Sequence, residues 1–170
     1  NLKTGRFKVG DDWYYATRSA GRVCNRRVGC YYYGSDGRMV CDAWKKNGKY
    51  QFYYDKKGKR RFGKVKTTEG ICYCERETGK AVSKWVNKDY YGKDGVMVTS
   101  QWVDDSYLGS DGKMMTACWV DDYYVGISGK ITKNQWVQDY YAGADGKKLK
   151  NQWIDDSYVG GDGKKVTSQW

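Results

Sequence analysis

The chain has 170 residues, 31 Lys+Arg against 20 Asp+Glu and a net charge of +11, a length that suits one ordinary soluble domain. Its apolar content is aromatic, with 17 Tyr and 8 Trp beside 3 Phe, 22 Gly and no Pro. Rings with a polar handle therefore take the place of the Leu, Ile and Val that usually fill a core. His is absent, which removes the commonest general base and metal ligand, and no apolar run approaches the roughly 20 residues of a membrane-spanning helix.

The chain opens "NLKTGRF" with no secretory leader, as expected of a mature or excised segment. Residues 1–84 hold 21 Lys+Arg against 8 Asp+Glu (+13), whereas residues 85–170 hold 10 against 12 (−2). This asymmetry suggests different surroundings for the two halves. The first half reads as four irregular units that begin at Phe7, Arg27, Trp44 and Val65. Cys24, Cys30, Cys41, Cys72 and Cys74 all lie here, with Cys118 alone beyond.

From Trp85 onward the pattern is strict. Trp85, Trp102, Trp119, Trp136, Trp153 and Trp170 are each 17 residues apart. Val or Ile follows one residue later, and Tyr five later at Tyr90, Tyr107, Tyr124, Tyr141 and Tyr158. Gly recurs seven and ten residues later, the second time usually after Asp. Such a period marks a repeat architecture. Nine units of 17–21 residues are expected, with Trp170 as a cut edge and with residues 1–84 and 85–170 as the divergent and regular parts of one solenoid.

Each unit is expected to be a β-hairpin. An Asp-Gly pair between strand formers favours a tight turn, because positive φ is easy there. "DSYLG" would thus pair with "MMTA" across "SDGK", and "WVDD" would connect successive hairpins. The Val/Ile phase and the phase 13 residues after Trp (Val98, Met115, Leu149, Val166) are the expected interior. Gly density and β-branching argue against helix. A lone hairpin is marginal in water, so stacking into an all-β solenoid is the expected fold.

An opening Trp, a Tyr-rich strand, a Gly-bearing turn, "M-x-T" and a closing Trp together resemble the bacterial cell-wall-binding repeat. That superfamily includes choline-binding and glucan-binding repeats, and the resemblance covers essentially the whole chain. It implies hairpins wound into a superhelix, with aromatic ligand sites at the junctions. Trp13 keeps the inner aromatic position of that family, Tyr50 stands near it and Ile71 departs from it. The 17-residue units offer one Trp and one Tyr per junction: Trp85 with Tyr90, Trp102 with Tyr107, Trp119 with Tyr124, Trp136 with Tyr141 and Trp153 with Tyr158. Trp13 and Trp44 are added from the first half.

Two readings of the Trp ladder stand side by side. The rings are either mortar between repeats or platforms that stack on sugars or enclose a quaternary ammonium. Successive strand residues face opposite ways, so if Val is interior then Trp faces outward. The paired acids Asp104/Asp105, Asp121/Asp122 and Asp155/Asp156 read as turn residues, since they recur from unit to unit while an enzyme builds one site. Arg26, Arg27, Arg60 and Arg61 mark a basic patch that is either simply solvated or binds a polyanion. No nucleic-acid signature accompanies it. Cys24 and Cys41 occupy equivalent positions in successive units and could staple them, although six cysteines allow 15 pairings. Zinc is a poor alternative without His or Cys-x-x-Cys.

These readings combine into a non-catalytic extracellular module on a bacterial surface, with no cofactor, metal, nucleic acid or membrane insertion. Its expected partners are cell-wall polysaccharide, teichoic acid or glucan. The alternative is adhesion to a host surface or serum protein through the basic half.

Overall fold

A computed structural model describes residues 3–167, so Trp170 lies outside the described residues. The described residues contain strands, turns and bends and no helix. They divide into two compact units. The first runs to Val86 and includes Tyr91–Met97, while the second comprises Asn87–Tyr90 and resumes at Val98. The expectation of an all-β chain of hairpin repeats holds, with nine hairpins among the described residues.

The first unit contains β1 (Gly5–Val9), β2 (Asp12–Thr17), β3 (Gly21–Arg22), β4 (Arg26–Val28), β5 (Tyr31–Tyr33), β6 (Ala43–Asn47), β7 (Tyr50–Tyr54), β8 (Gly63–Thr67), β9 (Gly70–Glu75) and β10 (Gly79–Lys80). β1, β2 and β3 form one antiparallel sheet and β4 pairs with β5. The hairpins β6–β7 and β8–β9 are joined into a five-stranded sheet by β10, which runs parallel to β7 at Gly79 and Gln51. Its packing is built from large rings and small thiols. Tyr53, Val65, Cys72 and Cys74 form one buried cluster, and Tyr32, Phe52 and Tyr54 form another.

Next come β11 (Lys84–Val86) and β12 (Asp89–Tyr91), through which the division between the units passes. The second unit is a run of like hairpins: β13 (Gln101–Val103) with β14 (Ser106–Leu108), β15 (Cys118–Val120) with β16 (Tyr123–Val125), β17 (Gln135–Val137) with β18 (Tyr140–Ala142), and β19 (Gln152–Ile154) with β20 (Ser157–Val159).

The pairing differs from the sequence expectation. The Trp segment is itself a strand, paired to the Tyr strand across a two-residue turn. That turn needs a left-handed residue, and Asn87, Asp104, Asp121, Gln138 and Asp155 supply it with φ of 49–58°. Short polar side chains such as Asn and Asp tolerate this region best. The Asp-Gly pair lies instead in a loop over residues 109–113, where Gly112 donates to the carbonyl of Gly109 and Gly109 to that of Lys113. The Asp111 carboxylate accepts from the Lys113 N–H at 3.0 Å, and Asp145 and Asp162 repeat the contact. The chain then returns with a single bridge, Leu108 to Met114.

This pairing also moves the core. Leu108, Val125, Ala142 and Val159, six residues after each Trp, are fully buried. Each is bridged on both sides, Leu108 by Gln101 and Met114 and Val125 by Cys118 and Ile131, so each is the middle of three strands. Val103 and Val120 share that inward face but are only half-buried, and Met115 and Val166 are exposed. The interior expected at the Val and plus-thirteen phases is therefore corrected to the plus-six phase. Successive hairpins are joined by backbone bonds from the returning strand to the preceding turn: Ile131 N–H to Asp105 O at 2.9 Å, Lys148 to Asp122 at 2.8 Å and Lys165 to Asp139 at 2.7 Å.

The expected disulfides are absent, and all six cysteines are free thiols. No cysteine faces another across a ladder, since Cys72 opposes Val65, Cys74 opposes Gly63 and Cys118 opposes Val125. Cys72 and Cys74 act as small buried hydrophobes. Burial pushes the Cys74 thiol up to about 11 and raises that of Cys72. Cys24, Cys30 and Cys41 lie outside the strands, with Cys24 and Cys41 exposed. Burial and the Asp55 charge raise the Cys41 thiol, so iodoacetamide mapping by mass spectrometry should show Cys24 modified first and Cys41 more slowly, with Cys72 and Cys74 protected until the chain unfolds.

Gly79 (φ +71°) sits where a Cβ would collide with the Gln51 carbonyl, whereas Gly10 (φ +58°) has open space around it. Gly10→Ala should cost about 1 kcal/mol through backbone strain alone. Gly79→Ala should cost roughly 3 kcal/mol or more, because β10 must also leave β7. Urea denaturation of the two variants tests the difference.

Candidate functional site

The aromatic phases converge at the edges of the hairpins. In β13–β14 Trp102 lies directly opposite Tyr107, and their rings meet edge-on with centroids 5.2 Å apart. The same pair recurs as Trp119–Tyr124 at 5.3 Å, Trp136–Tyr141 at 5.2 Å and Trp153–Tyr158 at 5.4 Å. Cross-strand neighbours share a face, so each Trp is on the side opposite the buried plus-six residue. The first three tryptophans of this series are half-buried and Trp153 is 70% exposed. Trp85 belongs to the first unit and Tyr90 to the second, and both are half-buried.

A third ring completes two of the junctions. Tyr123 pairs with Val120 and thus faces away from Trp119 in its own hairpin. Its ring meets Trp102 of the preceding repeat at 5.4 Å and an interplanar angle of 67°. Tyr140 meets Trp119 in the same way, at 5.4 Å and 69°. Trp102 with Tyr107 and Tyr123, and Trp119 with Tyr124 and Tyr140, are therefore three-ring clusters drawn from two repeats each. The phase four residues after Trp carries Tyr in only two repeats and Ser or Asp in the others (Asp89, Ser106, Ser157). The signal lay in "YYVG" and "YYAG" against "SYLG" and "SYVG", and only stacking shows which Trp the extra ring meets.

In the first unit the rings are covered by the chain's own cations. The Arg6 guanidinium lies 5.0 Å from the Trp13 ring centroid and 4.6 Å from that of Tyr31. Trp44 packs on Tyr53 at 5.2 Å with the Lys80 ammonium 4.7 Å above it, and Lys80 is also paired to Glu69 at 3.0 Å. Of the four arginines, Arg26 and Arg27 are exposed, while Arg60 is half-buried against Phe52 at 3.9 Å and donates to the Arg76 carbonyl. Burial lowers the Arg60 pKa, with the nearby Arg27 charge adding to the effect. Arg61 reaches Asp55 at 3.7 Å and lines a cleft of about 580 Å³ with Lys56, Lys57, Lys59, Lys64 and Lys66. The paired acids do not assemble a catalytic centre. Asp104 and Asp121 are left-handed turn residues, Asp105 pairs with Lys133 at 3.7 Å and Asp122 with Lys150 at 3.0 Å. No cluster of three metal-ligating side chains occurs among the described residues.

The sequence model of the choline-binding repeat matches residues 101–131 and 130–165, the stretch that holds both three-ring clusters. Residues 101–165 are thus similar to choline-binding repeats. The choline-binding domain of CbpL from Streptococcus pneumoniae is similar over 99% of this chain and 100% of its own length, at 28% identity and a TM-score of 0.79. The modular autolysin LytC of the same species matches 96% of this chain at 20% identity and a TM-score of 0.83, but this chain spans only 47% of LytC. Choline binding protein F of that species, crystallised in the presence of a tetrasaccharide-pentapeptide peptidoglycan analogue, matches 86% of this chain and 58% of its own, at 24% identity and a TM-score of 0.66. These last two likenesses show the shared fold. No curated protein matches the chain.

At the cationic cleft, the Tyr53 hydroxyl donates to the Asp42 carboxylate, which together with burial pushes the Tyr53 pKa up to about 12. The folded chain thus holds the phenol proton more tightly than the unfolded chain. The associated stability is complete below about pH 10 and is lost as pH rises through about 12. Ultraviolet titration of the Tyr53→Phe difference should place this ionisation near 12, and Asp42→Asn should move it toward the ordinary tyrosine range.

Proposed function

We propose that this chain is a non-catalytic bacterial surface-attachment module that recognises the quaternary ammonium of choline-bearing wall polymers at a three-ring aromatic junction. The observation that carries the reading is the Trp102–Tyr107–Tyr123 cluster. Two edge-on contacts to one indole, at 65° and 67°, gather three rings in one junction, and a trimethylammonium group is attracted to ring faces while losing little hydration. Its occurrence within residues that match the choline-binding repeat supports the choice of choline over a glucan. A choline-bearing teichoic acid is then the polymer that presents the ligand, and neighbouring modules on one wall gain affinity through avidity. On this reading the protein acts at the extracellular face of the wall.

Adhesion to a host surface or serum protein through the basic half is the second reading. The cleft around Arg61 and its five neighbouring lysines favours it, because an acidic partner would be drawn there in a salt-sensitive way. Both readings can be tested with one set of reagents. Retention on purified cell wall should be reversed by free choline and unaffected by α-glucan. Trp102→Leu should weaken choline binding by about tenfold, as expected for losing roughly 1.4 kcal/mol of ring attraction, while its circular dichroism remains that of the parent. Retention that resists choline but is lost in Arg61→Ala and at high salt would transfer the function to the basic half.

A further inference from the structure

The two three-ring clusters are alike in their rings and unlike in what lies over them. The Lys148 ammonium is 4.4 Å from the Trp119 ring centroid and 4.3 Å from that of Tyr140. It occupies the position where a cationic ligand of those rings would sit. Its approach is built into the backbone. The Lys148 N–H donates to Asp122 O at 2.8 Å, Lys148 bridges to Ala142, and its aliphatic stem crosses Gly163 (φ +82°), where a Cβ would stand 2.7 Å from the Lys148 Cδ. Because that residue is glycine, the stem can lie flat and carry the charge onto the rings.

At the preceding junction the equivalent residue is Ile131. It follows Trp102 by 29 residues, as Lys148 follows Trp119. It donates to Asp105 O at 2.9 Å and bridges to Val125, which matches the backbone role of Lys148. No cation lies over Trp102 among the described residues. Lys147 reaches only Tyr123, at 5.8 Å. Elsewhere the self-covered pattern recurs: Lys165 is 5.2 Å over Trp136, which has no third ring, and Arg6 bridges Trp13 and Tyr31.

We propose that Lys148 is a built-in occupant of the Trp119 site, so that of the two three-ring clusters only the one at Trp102 accepts an external quaternary ammonium. This rests on the choline reading above and assigns its selectivity to the residue 29 positions after each Trp. An ammonium tethered to the same fold acts at an effective concentration in the millimolar range or above. Free ligand must displace it and gains only the difference between two cation–π contacts. A lysine at this position therefore closes a junction and an aliphatic residue leaves it open.

The test uses the full chain and choline chloride in five forms: wild type, Lys148→Ile, Ile131→Lys, Trp102→Leu and Trp119→Leu. Calorimetry gives stoichiometry, and proton–carbon NMR follows the Lys148 ε-methylene. In the wild type that methylene should be shifted upfield by ring currents, and Trp119→Leu should release it. Choline should bind the wild type at one three-ring site that Trp102→Leu weakens by about tenfold. Lys148→Ile should add a second site, and Ile131→Lys should weaken the first by about tenfold or more. An unshifted Lys148 methylene overturns the proposal whatever choline does. So do two equivalent sites in the wild type that Lys148→Ile leaves unchanged, although the choline reading then survives. Binding that appears only in Lys148→Ile upholds the built-in occupant and removes the choline reading at Trp102. Absence of binding in both forms overturns both.

Discussion

A strand of three residues cannot close a core with one partner, and the rest of this structure follows from that limit. In the second unit the Trp strand and the Tyr strand leave Leu108, Val125, Ala142 and Val159 covered on one side only. The returning segment supplies a third strand through one bridge, and the bridging residue's own N–H donates to the previous hairpin's turn, as Ile131 does to Asp105 O. Each repeat thus completes its interior with its own return and its ladder with a neighbour. Short, locally closed contacts of this kind make stability a sum over repeats and junctions.

The same limit explains the composition. Returning the chain twice within 17 residues requires several left-handed positions. Asp104 and Asp121 hold φ of 52° and 53° in the hairpin turn, and Gly129 and Gly146 lie directly against Met114 and Ile131 of the preceding repeat. Polar residues that tolerate positive φ, and glycines that admit a neighbour's side chain, therefore recur at fixed phases. The first acid of each Asp-Asp pair serves geometry as a left-handed turn residue, and Asp111 and Asp145 cap their loops.

With so little aliphatic interior, rings carry much of the packing, and their faces are the chemical resource of the fold. The chain itself uses many of those faces. Arg6, Lys80, Arg60, Lys148 and Lys165 all lie over aromatic rings. Positive charge in the first unit is therefore partly structural, which separates Arg60, held on Phe52, from Arg61 in its open cleft. On the proposed reading, an aromatic junction stays open only where no cation of the chain lies over its tryptophan, as at Trp102 and unlike Trp119 and Trp136.

The repeat period and the hairpin content were legible in the sequence, because they depend on local geometry and on a phase that the chain repeats. Which segments pair was not legible. "WVDD" and "SDGK" both carry turn chemistry, and only the completed ladder shows that the first makes the hairpin while the second makes a loop with one bridge. The core therefore fell at Leu108 and not at Val103 or Met115. The cysteines followed the same logic, since equivalent sequence positions suggested a staple at Cys24 and Cys41 but cross-strand register put no two thiols opposite each other. The third ring of each cluster and the lysine above one of them come from residues 21 and 29 positions away from the Trp they meet. Those separations exceed one repeat, so only the stacking of one hairpin on the next could decide them.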